Sequence, residues 1–246
     1  WTDNLFTTQS DEKSDFVTTI APGIWLAFPA NREKLLSLDT TTTASGGMKL
    51  SRIKPEGLRR FQTYFLYSPE VELYADHSDH NHFNHNVQGL FQYNLNNGLS
   101  FDVIDIFKDK EDISDDGTTD TLYRYTSNLV DFISTYDPSE KLTLRFDYSN
   151  YYLDYNEDVN DYRNRIDNGV DFYVFYKFKP KTSVFVQYAH TIIDFDDNDD
   201  YDNTENNYFA GINWAMTTKS RGRFKLGYME KDFDGSDIDS ESGLSF

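Results

Sequence analysis

The stretch LTLRFDYSNYYLDYN, residues 142–156, decides the fold, because its two faces carry different chemistry. Side chains on an extended strand alternate with period two. Leu142, Leu144, Phe146 and Tyr148 therefore share one side, and Thr143, Arg145, Asp147 and Ser149 share the other. An apolar row of this kind meets a second sheet in a soluble sandwich and lipid in a membrane barrel. The connections between such strands tell the two apart.

Tight-turn clusters recur at Asn96-Asn97-Gly98, Asp137-Pro138-Ser139, Lys179-Pro180-Lys181 and Lys219-Ser220-Arg221, each with the residues that tight turns need. Between them lie longer acidic linkers: DKEDISDDGTTDT, DYNEDVNDY, DFDDNDDYDNTEN and DFDGSDIDSES. Short turns alternating with long polar loops are the pattern of an outer-membrane barrel, turns periplasmic and loops outside. Alternation continues in the flanking segments. Ile166, Val170, Phe172, Val174, Tyr176 and Phe178 oppose Arg163, Arg165, Asp167, Asp171 and Lys177. Tyr208, Ala210, Ile212, Trp214 and Met216 oppose Asn207, Gly211 and Asn213, and Phe224, Leu226 and Tyr228 oppose Arg223 and Lys225. Both faces are mixed at 124–136 and 182–195, and parity puts His190 on the apolar side of its strand.

The pattern predicts an all-β chain, a single antiparallel transmembrane β-barrel over residues 1–246. About 12 strands are expected: 1–6, 15–28, 61–75, 84–95, 98–110, 124–136, 141–155, 162–178, 182–195, 206–217, 222–234 and 237–246. An even count brings both termini to the periplasmic side. No run approaches the roughly 18 apolar residues of a transmembrane helix, but a barrel strand crosses with about 9–11, half of them facing a polar interior. A mean hydropathy of −0.69 is therefore compatible with a membrane protein. The chain opens on Trp1, which reads as a mature or trimmed sequence whose targeting segment has been removed.

WTDNLF, SDFVTTIAPGIWLAF, NGLSFDVIDIF and RFDYSNYYLDY resemble, in style and order, the outer-membrane β-barrel porins associated with exopolysaccharide export, the beta-barrel porin 2-like family. The resemblance implies a larger barrel of up to about 18 strands that exports polysaccharide across the bacterial outer membrane. It also implies outer-membrane lipid, lipopolysaccharide, an anionic polysaccharide and periplasmic export components as partners.

Composition narrows the chemistry. A net charge of −19 argues against a nucleic-acid surface. The absence of cysteine removes disulfides, thiol nucleophiles and thiolate metal sites. No nucleophile–base pair is apparent, so no enzyme is expected. His77, His80, His82 and His85 cluster in ADHSDHNHFNH and are candidate ligands for a transition metal, although their spacing matches no metal motif and a solvated loop explains them. The Asp-rich loops, above all Asp194 to Asp202, are candidates for Ca²⁺ without matching an EF-hand. No other cofactor is expected.

Residues 31–60 break the acidic balance, since Arg32, Lys34, Lys49, Arg52, Lys54, Arg59 and Arg60 outnumber Glu33, Asp39 and Glu56. A connection this long inside a compact domain is usually functional. Parity puts it at the periplasmic end, as a plug or constriction, or as a docking surface, with Arg52, Lys54, Arg59 and Arg60 as its working residues. The alternative is an unrecognised strand pair, KLLSLDTTTT and GGMKLSR. The expected function is a passive conduit lined by Arg145, Asp147, Arg163, Arg165, Asp167, Asp171, Lys177, Arg223 and Lys225. Two other readings compete: a structural or adhesive outer-membrane barrel whose acidic loops bind divalent cations, and a soluble acidic Ca²⁺-binding β-protein.

Overall fold

The computed structural model describes residues 14–30, 38–48, 59–113, 122–215, 221–235 and 238–245. They form one antiparallel sheet of 13 strands. The chain first runs through β1 (Val17–Ile20), β2 (Ile24–Phe28), β3 (Phe61–Tyr67) and β4 (Glu70–Tyr74). A long meander follows: β5 (His82–Asn94), β6 (Leu99–Ile113), β7 (Leu122–Tyr136), β8 (Leu142–Tyr155), β9 (Arg165–Lys179), β10 (Thr182–Phe195), β11 (Asn203–Ala215), β12 (Arg221–Phe233) and β13 (Glu241–Ser245).

Eleven of the expected 12 strands fall on the described residues, and they become 13 because 15–28 and 61–75 are each broken in two. The breaks fall at Ala21-Pro22-Gly23 and Ser68-Pro69, where proline has no N–H to give the ladder. The two halves stay in step, since β1 pairs with β4 and β2 with β3. Both β3 and β4 then pair with successive parts of β5. The expected strand at 1–6 lies outside the described residues. Among the described residues no ladder joins β13 to β1 or β2.

Connections sort by end. Residues 95–98, 137–141 and 180–181 are short turns, whereas 75–81, 156–164 and 196–202 are longer and sit at the opposite end. The loop at 156–164 carries a 3-10 segment, Asp158–Arg163, so β9 starts at Arg165 and not at 162. Arg163 consequently leaves the strand face on which it was expected. Its guanidinium lies 5.0 Å from the ring centre of Tyr155 at the loop end.

The outward face is apolar over a long band. Leu144, Phe172, Val174, Val184, Val186, Phe224 and Leu226 are all exposed, Phe172 to 51% and Phe224 to 59%. This band does not follow one row of the ladder. Phe28, Thr63, Phe91, Val103, Phe132, Tyr148, Val170, His190, Asn206 and Glu230 are level with one another along the hydrogen-bonding direction. The row is mainly apolar on the earlier strands and polar on the later ones. On the later strands the apolar residues lie nearer the turn end, where Leu226, Ala210, Val186, Val174 and Leu144 are level. His190 does face outward, but in the polar part of the band, with Nδ1 2.9 Å from Asn206 Oδ1.

The inward face differs between the two halves of the sheet. Leu90, Ile104, Ile106, Leu129, Ile133, Tyr151 and Leu153 are buried there with Leu38 and Tyr64 in one cluster, against which Trp25 and Ala27 pack. Burying this many apolar side chains on the second face of β5–β8 explains the mixed pattern at 124–136. The same face of β5–β8 also buries Gln88, Gln92, Asp102, Asp131, Arg145 and Asp147, and the inner face of β9–β12, without such an apolar cluster, is rich in charge and amide groups.

Candidate lumen and plug

Residues 38–48 lie against the inward face. Thr40 and Met48 form an isolated antiparallel bridge, and the Thr41 amide donates to the Gly47 carbonyl at 2.8 Å. The segment is therefore a small closed loop, and yet it touches widely separated strands. Lys108 Nζ on β6 donates to Asp39 Oδ1 at 2.9 Å and to the Thr40 carbonyl at 3.0 Å. Tyr151 on β8 donates its hydroxyl to the Thr41 carbonyl at 3.1 Å. On β9, Arg165 donates to the Ala44 carbonyl at 3.1 Å and Asp167 accepts the Gly46 amide at 2.7 Å. Ser45 donates to Glu205 on β11 at 2.8 Å, and Lys231 on β12 reaches the same carboxylate at 3.0 Å. Strands stand about 4.8 Å apart in a ladder, so a loop this compact reaches β6 and β11 together only because the sheet curls around it.

Gly47 sits at the closest approach. Its φ of +62° is one that L side chains rarely adopt, and a Cβ there would fall 2.2 Å from Tyr151 Cδ2. Tyr151 is fully buried, so its ring has no room to retreat. Of the expected strand pair 34–43 and 46–52, the described residues show the single bridge; the rest of it, with Arg52 and Lys54, lies outside the described residues. Arg59 and Arg60 are exposed at the turn end, Arg59 donating to the Ala30 carbonyl at 3.4 Å and Arg60 to Tyr93 Oη at 3.2 Å.

The other charged residues expected on the inner wall divide into distinct settings. Arg145 and Asp147 are both buried and face each other along β8, with Arg145 Nε donating to Asp147 Oδ1 at 2.7 Å. Arg165 pairs in the same i, i+2 manner with Asp167 at 3.1 Å, and Asp171 accepts from Gln187 at 2.8 Å. Arg223 donates to Asn213 Oδ1 at 2.8 Å, and Lys225 Nζ lies 3.7 Å from the ring centre of Phe209. Lys177 shares the inward parity but is exposed at the turn end. The structure thus brings Arg145, Asp147, Asp171, Arg223 and Lys225 onto one wall, draws Arg165 and Asp167 to the 38–48 loop, and leaves Arg163 and Lys177 at opposite ends.

The four loop histidines are engaged separately. His77 Nδ1 is 2.9 Å from Asp15 Oδ2, His82 Nδ1 is 3.1 Å from Glu111, and His85 Nδ1 is 3.0 Å from Tyr67 Oη. The ring of His80 packs edge-on against Tyr74. Among the described residues no group of three or more His, Asp or Glu side chains is arranged to hold a metal ion. In the acidic loops, burial and the neighbouring carboxylates of Asp158, Asp197 and Asp154 push the Asp161 carboxyl up.

Asp15 is a residue that sequence reasoning missed. Its buried carboxylate accepts the amides of Phe16, Ala75, Asp76 and His77 at 2.6, 3.0, 3.1 and 3.1 Å, so it ties the histidine loop to the start of β1. Burial alone would raise its pKa, but the hydrogen bonds from the His77 ring and from the Asp76, Phe16 and His77 amides outweigh that and hold it down at about 2. A lone Asp before a strand carries no sequence signal for such a role.

Comparison with protein-family models, curated proteins and solved structures finds no match. The geometry alone therefore carries the functional reading. It offers an apolar outer surface, an inner face that carries charged groups on both halves of the sheet with an apolar cluster on β5–β8, and a loop gripped against that face.

Proposed function

We propose that the chain is an outer-membrane β-barrel of the porin type, a conduit for export of an anionic exopolysaccharide, with residues 38–48 as an internal plug. The observation that carries this reading is the oblique course of the exposed apolar band. A level membrane crosses tilted strands at residues that shift from strand to strand, and barrel strands tilt by about 35–45°. Water-facing sheets have no reason to expose such a band, which leaves the soluble Ca²⁺-binding reading without support. Strands of 13 to 15 residues, as in β5–β7, β9, β11 and β12, exceed the need of about 9–11 for a tilted crossing. Closure of β13 on the first strands would remove both sheet edges from lipid.

Direction follows from charge. The long loops are acidic, whereas Arg59, Arg60, Lys177, Lys179 and Lys181 gather at the turn end, which is periplasmic in this orientation. An anionic polymer arriving from the periplasm, delivered by export components there, meets attraction on entry and repulsion on leaving, over a range of about 8 Å at physiological ionic strength. The acidic loops face lipopolysaccharide and can share its divalent cations.

The packed inner face of β5–β8 favours a second reading, a structural or adhesive barrel with a filled interior. Single-channel recording on the purified protein separates the two. The conduit reading expects discrete conductance, blocked by an anionic oligosaccharide added on the turn side, with block weakened by the double change Arg59→Glu and Arg60→Glu. Absence of conductance, with the plug seated or displaced, would leave only the filled barrel.

A further inference from the structure

A cavity of about 460 Å³ separates the plug residues Ala44–Met48 from the inner wall of β9–β12. That volume lies within the ~300–1,000 Å³ of small-molecule sites. Its wall combines the rings of Tyr173 and Phe209 with Asp171, Gln187, Asn207, Lys225 and Glu205, whose carboxylate is already held by Lys231 and Ser45 at 3.0 and 2.8 Å.

Two cations on this wall are unlike the others. Arg145 and Arg165 each pair with a carboxylate two residues along, but among the described residues neither Arg223 nor Lys225 meets a carboxylate. They are two apart on β12, so both project inward, and both are partly buried. Each rests on an aromatic ring instead: Arg223 lies 5.1 Å from the centre of Phe185 and Lys225 3.7 Å from that of Phe209. The rings lie flat because the ladder sets a glycine opposite each, Gly211 beside Phe185 and Gly227 beside Phe209. A Cβ at Gly227 would fall 2.3 Å from Phe209 Cδ1, and one at Gly211 2.6 Å from Phe185 Cε1. Asp147 lies close enough to act on Arg223, whereas Lys225 has no such counter-charge among the described residues. A partly desolvated ammonium in that setting is costly in a folded wall, and a bound anion removes that cost.

We propose that this wall is a binding station for a carboxylated sugar unit, such as a uronate within an oligosaccharide. The carboxylate meets Lys225, which lines the cavity, in a charge-assisted hydrogen bond, and Arg223, two residues along β12 and outside the lining, adds to the positive field there. A C–H face of the pyranose ring stacks on the aromatic wall of Tyr173 and Phe209, and the hydroxyls meet Asp171, Gln187 and Asn207. An inorganic anion would use the cations but neither the rings nor the amides. The plug closes one side of the station, so occupancy and plug position are linked. This inference rests on the conduit reading, because it places the cargo inside the sheet, and it names the chemistry that the cargo must have.

The test is calorimetric titration of the full chain in detergent micelles with tri-galacturonate, maltotriose and sodium sulfate, alongside conductance of the same preparation. Tri-galacturonate is expected to bind at least about tenfold more tightly than maltotriose or sulfate, as loss of one charge-assisted contact implies. Lys225→Gln should remove that preference, Phe209→Ala should weaken tri-galacturonate but not sulfate, and Lys225→Arg should retain binding. Heat-modifiable migration on gels checks that each variant is folded. Equal binding of sulfate and tri-galacturonate, or conductance without any tri-galacturonate binding, would overturn the station while leaving the conduit intact. Binding without conductance would uphold the station and remove the conduit.

Discussion

Leu144→Arg and Phe172→Arg are each expected to destabilise the protein folded into lipid vesicles by about 2–4 kcal/mol, the cost of a cation at the middle of the apolar zone of a barrel. Both side chains are exposed on the outward face, Leu144 to 38% and Phe172 to 51%. Leu144 is level with Tyr136 and Val174, and Phe172 lies level with Phe146 and Tyr188, so neither position has a carboxylate beside it in its row to receive the new charge. Thr204→Arg is the contrasting case. Thr204 also faces outward, but it is level with Ile192 and Asp232 near the loop end, where the same substitution costs about 0–1 kcal/mol. Folding titrations in vesicles measure all three. Equal stability of the parent and both mid-band variants would mean that these side chains do not meet lipid.

Gly47→Ala is expected to unseat the plug. The new methyl group would overlap the buried ring of Tyr151, and the residue would keep a φ of +62°. Left-handed strain of about 1–2 kcal/mol and overpacking of about 1–3 kcal/mol act together, and moving the ring breaks the bond from Tyr151 Oη to the Thr41 carbonyl. Gly46→Ala separates the two effects. Its φ of +65° imposes the same strain, but the nearest heavy atom to the new methyl is the Met48 Cε at 4.0 Å. Single-channel recordings should show a several-fold larger conductance for Gly47→Ala and parental conductance for Gly46→Ala. If the two alanine variants conduct alike, the plug does not control the lumen.

Much of the outer surface was legible from alternation alone, because outward and inward residues must take opposite parity. Leu142–Tyr148 and Phe172–Phe178 needed no further information. The breaks at Pro22 and Pro69 were missed, because the apolar periodicity on either side of each reads as one continuous strand. The plug was legible only as a long basic insertion. Its grip engages the Thr40, Thr41 and Ala44 carbonyls and the Gly46 amide, groups that every residue type possesses, so no motif marks it. The inner wall of β7 was unreadable for a related reason: Leu129 and Ile133 are apolar to pack against the cluster around Leu38, which parity alone assigns to neither face. Arg163 shows the limit at strand ends, where a 3-10 turn takes over from the ladder and parity stops having meaning.

The most direct measurement of a membrane-spanning sheet compares adjacent positions on one strand. Phe172 faces outward and Tyr173 is buried on the inner wall, one residue on. In a background with Trp1, Trp25 and Trp214 changed to Phe, Phe172→Trp and Tyr173→Trp each provide a single fluorophore for vesicles of lipids brominated on their acyl chains. Strong quenching is expected at 172 and at Val174→Trp, with little at 173. Equal quenching at all three positions, or none at any of them, would contradict a membrane-spanning sheet.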